Sequence, residues 1–192
     1  INNTINFNNN NNNNNNKLYD HWMLNEIYEQ PDSINRAINY GGRINNNIIK
    51  LNGLNNIVNM KSEINNIIII GCGTSYHAGS LFKYYMKNII NLNINIVHAY
   101  DAADFDISDI PKHGKTLFIL CSQSGETRDI INIIDKINNN IVIGIINMVD
   151  STISKMVTCG IYMNAGIEKS VASTKSFTST AIIISLIAYA SA

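Results

Sequence analysis

The residues best suited to chemistry lie between Leu120 and Asp129. Ser122, Ser124 and Thr127 bring three hydroxyls, Gln123 an amide and Gly125 a flexible link. The apolar run Leu117 to Leu120 precedes them and the amphipathic run Ile130 to Ile137 follows. This order predicts strand, tight turn, helix. A helix start exposes unpaired N–H groups and a partial positive charge, which suits an anion. Two further polar clusters follow apolar runs: Thr74-Ser75, and Glu168 through Ser173-Thr174. Read alone, each is an ordinary set of helix caps. In a parallel sheet all three fall on one edge, and together they point to a phosphate cradle.

None of the core cradle residues is cationic, and Arg128 is expected to point along its helix surface. Hydrogen bonds to a charged group contribute about 1.5–3 kcal/mol each. Four or five of them, less desolvation, match a micromolar to millimolar ligand at about −4 to −8 kcal/mol. A small phosphorylated sugar fits. A nucleoside triphosphate does not, because no GxxxxGK[ST] is present. A dinucleotide reading rests on Gly71-x-Gly73 and Asp101, but Tyr76 occupies the third glycine position and the spacing to Asp101 is too long. Glu168 has two readings, a base near a sugar hydroxyl or a cap on the final helix. Asp104 and Asp106 form a candidate carboxylate pair, with loop solvation as the alternative. His21, His77, His98 and His113 share no ligand spacing.

The elements that position these residues begin after a tract, Ile1 to Asn16, that is mostly Asn and expected to be disordered. Residues 17–60 form a predicted helical lead-in. Met23, Ile27, Ile34 and Ile38 recur at helical spacing, and Pro31-Asp32-Ser33 marks a break or restart. A second helix is predicted from about Asn46 to Met60, with Ile48, Leu51 and Val58 on one face. Residues 61–192 then alternate strand and helix. Strands are predicted at Ile67–Ile70, Ile94–His98, Thr116–Cys121, Ile141–Ile146 and Gly160–Met163. A turn is expected near Ala102 to Phe105. Helices are expected around Leu81 to Ile89, Ile130–Ile137, Ser151–Met156 and Thr174–Ala190. Wholly apolar strands in this alternation predict an α/β fold: a three-layer αβα sandwich on a five-stranded parallel sheet. Its ligands sit beyond the carboxyl ends of the strands.

Composition narrows the function classes. The 192 residues carry a formal net charge of +0, so nothing favours nucleic acid or an acidic membrane as partner. Asn and Ile exceed a third of the chain. Cys72, Cys121 and Cys159 form no CxxC pair, so neither zinc nor a disulfide framework is expected, and reduced thiols are. No signal peptide is read at the start, and the run Ala181 to Ala190 is shorter than the ~18–20 apolar residues of a membrane span. The chain opens at Ile1 and closes inside an apolar run, and is expected to be a piece of a longer protein.

Four stretches, in order, resemble the glutamine–fructose-6-phosphate aminotransferase (glucosamine-6-phosphate synthase) family. They are His21-Trp22-Met23-Leu24-Asn25-Glu26-Ile27-Tyr28-Glu29-Gln30-Pro31, Gly71-Cys72-Gly73-Thr74-Ser75-Tyr76, Ser122-Gln123-Ser124-Gly125-Glu126-Thr127-Arg128-Asp129, and Val171-Ala172-Ser173-Thr174-Lys175-Ser176-Phe177-Thr178. The chain is similar to the first of that family's two sugar isomerase (SIS) subdomains, which are flavodoxin-like. The resemblance implies that Ser75, Ser122, Gln123, Ser124 and Thr127 hold the phosphate of fructose 6-phosphate or glucosamine 6-phosphate. It implies that Thr74, Val171, Ala172 and Ser173 line the sugar. It also implies amino transfer from glutamine and ketose–aldose isomerisation in hexosamine synthesis, in the cytoplasm, by a homo-oligomer with no cofactor. Asn25 departs from the family's Lys, Asp104 from Glu and Thr180 from Gln. The glutaminase domain and the second SIS half, which supplies the isomerising carboxylate, the ring-opening His and the Schiff-base Lys, are expected as partners within the same protein. None of those roles passes to Glu168, His77 or Lys175, so the fragment is expected to bind without turnover. The alternative is a non-catalytic sugar-phosphate-sensing SIS regulator.

Overall fold

The computed structural model describes residues 18–46, 48–55, 63–89, 96–137 and 139–191. The Asn-rich start and Val58 lie outside these. A parallel five-stranded sheet forms the centre, from β3 (Ile64–Gly71), β4 (Ile96–Asp101), β5 (Lys115–Ser122), β6 (Ile141–Ile146) and β7 (Cys159–Tyr162). Their spatial order is β4-β3-β5-β6-β7. Counted within the sheet this is 2-1-3-4-5, the flavodoxin-like order. The chain therefore reverses its direction of travel between β3 and β5, where Gly71 stands beside Cys121.

The strands are apolar on both faces because helices cover both. Ile67, Ile69, Leu117, Ile119, Ile143 and Ile145 point to one side. There they pack on α3 (Thr74–Ile89) through Ala78 and Phe82, and on α6 (Lys175–Ser191) through Ile183, Ile184 and Ile187. Ile68, Ile70, Phe118, Leu120 and Val142 point to the other side. They meet Ile130, Ile133, Ile134 and Ile137 of α4 (Arg128–Ile137) and Ile153 of α5 (Thr152–Met156). Among the described residues no helix is long and apolar enough to cross a membrane.

The lead-in departs from expectation in two ways. Its first part is two helices, α1 (Trp22–Tyr28) and α2 (Gln30–Ala37), with Pro31 in the opening turn of the second. The buried residues of α1 are Asn25 and Glu26, while Met23 and Ile27 are exposed. The first half of the expected apolar stripe thus faces outward, while Ile38 at its end packs against the core. Asn25 earns its burial by accepting from Leu18 N and Tyr19 N and donating to the Tyr19 and His21 carbonyls. The second correction concerns Asn46 to Met60. Up to Leu54 it is a hairpin, β1 (Ile44–Asn45) with β2 (Ile48–Ile49), and a 3-10 turn at Asn52–Leu54, and the part of the expected helix from 56 to 60 lies outside the described residues. Asn46 takes φ 48°, which a helix interior does not allow. Gly53 lies against the Gly160 carbonyl so closely that a Cβ there would sit 2.0 Å from it. Close packing on β7 overrides the helical periodicity.

Candidate functional site

A cleft of about 230 Å³ opens beyond the carboxyl ends of β3 and β5, at the point where strand order reverses. It is lined by Cys72, Thr74, Ser75, Gln123, Ser124, Thr127, Glu168, Ser170, Val171, Ser173 and Ser176. All three hydroxyl clusters read from the sequence therefore meet around one opening.

The first wall is the turn from β3 into α3. Gly71 lets the helix start close to its strand, since a Cβ would lie 2.6 Å from Tyr76 N. Gly73 has φ 55° and donates its N–H to Asp101 Oδ2 at 3.1 Å. Asp101 also accepts from Ala103 N at 3.2 Å. The residue on which a dinucleotide reading depends is thus occupied in fixing this turn. Thr74 is exposed and Ser75 half-buried at the mouth of α3.

The second wall is the turn from β5 into α4. Ser122 is 2% exposed and does not line the cleft. Its Oγ accepts from Gly125 N at 2.9 Å and shares a hydrogen bond of 2.9 Å with Thr127 Oγ1. Gly125 has φ 66°, and a Cβ there would come within 2.0 Å of Ser151 Oγ. Ser124 Oγ accepts from Glu126 N at 3.1 Å, leaving its own proton for the cleft. Glu126 holds the other side of the turn by accepting from Thr152 N at 2.7 Å, and the Thr152 hydroxyl and amide keep its carboxyl below the usual range. Arg128 is exposed at the first turn of α4.

The third wall is the segment after β7. Glu168 accepts from Thr174 N at 2.8 Å, Thr174 Oγ1 at 3.0 Å, Ser176 N at 3.3 Å and the Ser176 hydroxyl. Of its two readings, the geometry supports the cap: four donors at the start of α6 hold the carboxylate, three on Oε1 and one on Oε2. Ser173 Oγ bonds Ser176 Oγ at 2.7 Å. Val171 is fully exposed at the tip. Ala172 is exposed and outside the lining, its carbonyl accepting from Ser170 Oγ at 2.8 Å.

Cys72, Ser170 and Ser176 belong to the lining but were not read as site residues. Cys72 and Ser176 lie inside the quoted motifs, so the motif boundaries were the available signal. Burial, then the Asp101 and Asp129 carboxylates, push the Cys72 thiol up, which keeps it protonated. Cys121, wholly buried under the second wall, is pushed up to about 12 by burial. Asp106 caps a 3-10 turn, accepting from Ser108 N at 2.8 Å, and Asp104 is exposed, so the pair has a structural account. Among the described residues no group of three His, Cys, Asp or Glu side chains is placed to hold a metal ion.

Comparison with known proteins follows the same geometry. A protein of Acanthamoeba polyphaga mimivirus named "Probable glutamine–fructose-6-phosphate aminotransferase [isomerizing]" is 39% identical over 173 residues, 88% of this chain and 27% of its own length. A glutamine–fructose-6-phosphate aminotransferase (isomerizing) of Chlorobaculum tepidum is 32% identical over 90% of this chain and 28% of its own. The chain thus spans about a quarter of the length of these relatives. The solved C-terminal domain of glucosamine-fructose-6-phosphate aminotransferase from Francisella tularensis superposes with TM-score 0.78 at 28% identity, over 89% of this chain and 48% of that one. Residues 62–190 match the SIS domain. With its sheet order, its cleft and this match, the chain belongs to the SIS domain family.

Proposed function

We propose that this chain is the phosphate-binding half of the isomerase region of a glutamine–fructose-6-phosphate aminotransferase, and that its cleft takes fructose 6-phosphate or glucosamine 6-phosphate. The observation that carries the reading is the convergence of Thr74, Ser75, Gln123, Ser124, Thr127, Val171 and Ser173 on one opening at the switch point. Phosphate sits at the mouth of α4, where helix N–H groups and hydroxyls converge. Ser122 accepts from Gly125 N and shares a hydrogen bond with Thr127 Oγ1; in the arrangement in which Ser122 donates, the Thr127 proton is free for a phosphate oxygen. Ser124 donates in the same way. The sugar extends toward Val171 and Ser173.

In the whole protein, a glutaminase domain supplies ammonia and a second SIS half supplies the catalytic groups. Transfer and isomerisation then proceed in the cytoplasm, in a homo-oligomer, toward hexosamines. The similarity in name and sequence to aminotransferases favours this over a sugar-phosphate-sensing regulator. Calorimetry of the 192-residue chain with fructose 6-phosphate and with inorganic phosphate tests it. Ser124→Ala is expected to lose about 1.5–3 kcal/mol of binding for both ligands, one charged hydrogen bond. Unchanged binding in the variant would count against the cradle.

A further inference from the structure

Two walls of the cleft come from turns that the sandwich makes by itself. The third is held partly from outside. Asn147, at the end of β6, accepts from Ala165 N at 2.8 Å and donates to the Gly166 carbonyl at 2.7 Å, fixing the start of the loop. Beyond that point the contact comes from α1. Glu26 is 2% exposed, and its carboxylate accepts from the Lys169 and Ser170 amides and from the Ser170 hydroxyl. No Lys, Arg or His among the described residues forms an ion pair with it. The neighbouring Lys169 ammonium sits instead over the Trp22 ring, 4.0 Å from its centroid.

A buried carboxylate without a cation is costly unless several donors converge on it. Here α1 exposes Met23 and Ile27 and buries Glu26, so core formation does not explain its placement. What the burial accomplishes is to fix two successive amides immediately before Val171. Val171 and Ser173 border the cleft, and the first of them is fully exposed with nothing in the sandwich packed over it.

We infer that Glu26 is a positioning residue for the sugar side of the cleft: its carboxylate sets the loop that carries Val171, and so governs affinity for a sugar phosphate while leaving affinity for phosphate itself unchanged. The inference rests on the sugar-phosphate reading given above. Phosphate meets Ser75, Gln123, Ser124 and Thr127, and these stand on turns that Glu26 does not touch.

The test uses the 192-residue chain, as wild type, Glu26→Ala and Glu26→Gln, titrated with fructose 6-phosphate and separately with inorganic phosphate. Hydrogen exchange is followed in the same samples. Glu26→Ala is expected to weaken fructose 6-phosphate at least fivefold and to change phosphate less than twofold. The Lys169 and Ser170 amides should exchange faster, while those of Ile69 and Ile119 keep their wild-type protection. Glu26→Gln retains an acceptor and should fall between, and it carries the test if Glu26→Ala does not fold. Equal weakening of both ligands, or faster loop exchange with unchanged sugar-phosphate affinity, overturns the inference. Wild type that binds both ligands while Glu26→Ala matches it defeats this inference alone. Wild type that binds neither defeats the sugar-phosphate reading and takes this one with it.

Discussion

The second and third walls of the cleft reach the same opening by different means. The turn Ser122 to Thr127 is closed mostly by contacts a few residues apart, Ser122 to Gly125 and Thr127, and Ser124 to Glu126, with Thr152 bracing Glu126 from the following crossover. The segment Asn164 to Lys175 has near ties to Asn147 and Glu168, and is fastened in addition by side chains that lie more than a hundred residues earlier. Arg36 donates to the Asn164 and Ala165 carbonyls at 3.0 Å, Glu26 accepts from Lys169 and Ser170, and Glu29 pairs with Lys175. One wall of the cleft is thus held mainly by the sheet and its own turn, and the other also by a helical module packed beside the sheet.

The largest effect should come from breaking the local wall. Gly125→Ala places a side chain at positive φ and drives it into Ser151. A loss of about 3 kcal/mol or more is expected in urea denaturation, together with loss of phosphate binding. Gly73→Ala is the control at the first wall. Its φ is also positive, but a Cβ there meets nothing within 4 Å, so about 1–2 kcal/mol should be lost.

The tethered wall sharpens the contrast. The Lys175 side chain is 4% exposed and its partner Glu29 is 47% exposed. Removing Glu29 strands a buried ammonium, and Glu29→Ala should cost about 2–3 kcal/mol. Removing Lys175 leaves a carboxylate that water can reach, so Lys175→Met should cost about 1 kcal/mol or less. Equal losses in thermal denaturation would contradict this asymmetry.

The smallest effect is electrostatic. Hydrogen bonds from Thr152 hold the Glu126 carboxyl below its usual range in the folded chain. Its stabilising contribution is therefore present above the unfolded carboxyl pKa of 4.5 and is lost as pH falls through the folded value. Glu126→Gln removes that contribution, so the variant should be slightly less stable than wild type at neutral pH and converge on it as pH falls, which flattens the acid side of the stability–pH curve.

What was legible in the sequence follows the same division. β6 begins and ends where the apolar run Ile141 to Ile146 does, and α4 begins two residues before the run that predicted it. Buried parallel strands and the turns that leave them are local patterns, so spacing singled out Thr74, Ser75, Gln123, Ser124 and Thr127 as candidates, and these line one cleft. Ser122 illustrates the limit. Its residue type matched its neighbours, but strand alternation turns it inward, where it serves the turn. The stretch around Gly53 packs directly against the Gly160 carbonyl, a contact far away in sequence that helical periodicity does not register. Glu26 was visible only as part of a motif. A helix that buries its polar side and exposes its apolar one reverses the pattern by which amphipathic helices are recognised.

The pairing of Ser33 with Ser179 across 146 positions has a consequence for synthesis. Within this stretch the lead-in is synthesised before the helix that receives it. Until translation has passed α6, Glu26, Glu29 and Ser33 wait in water. The strands between lead-in and helix are made during that interval, and the third wall of the cleft gains its contacts from α1 and α2 only when the residues around Ser179 have followed.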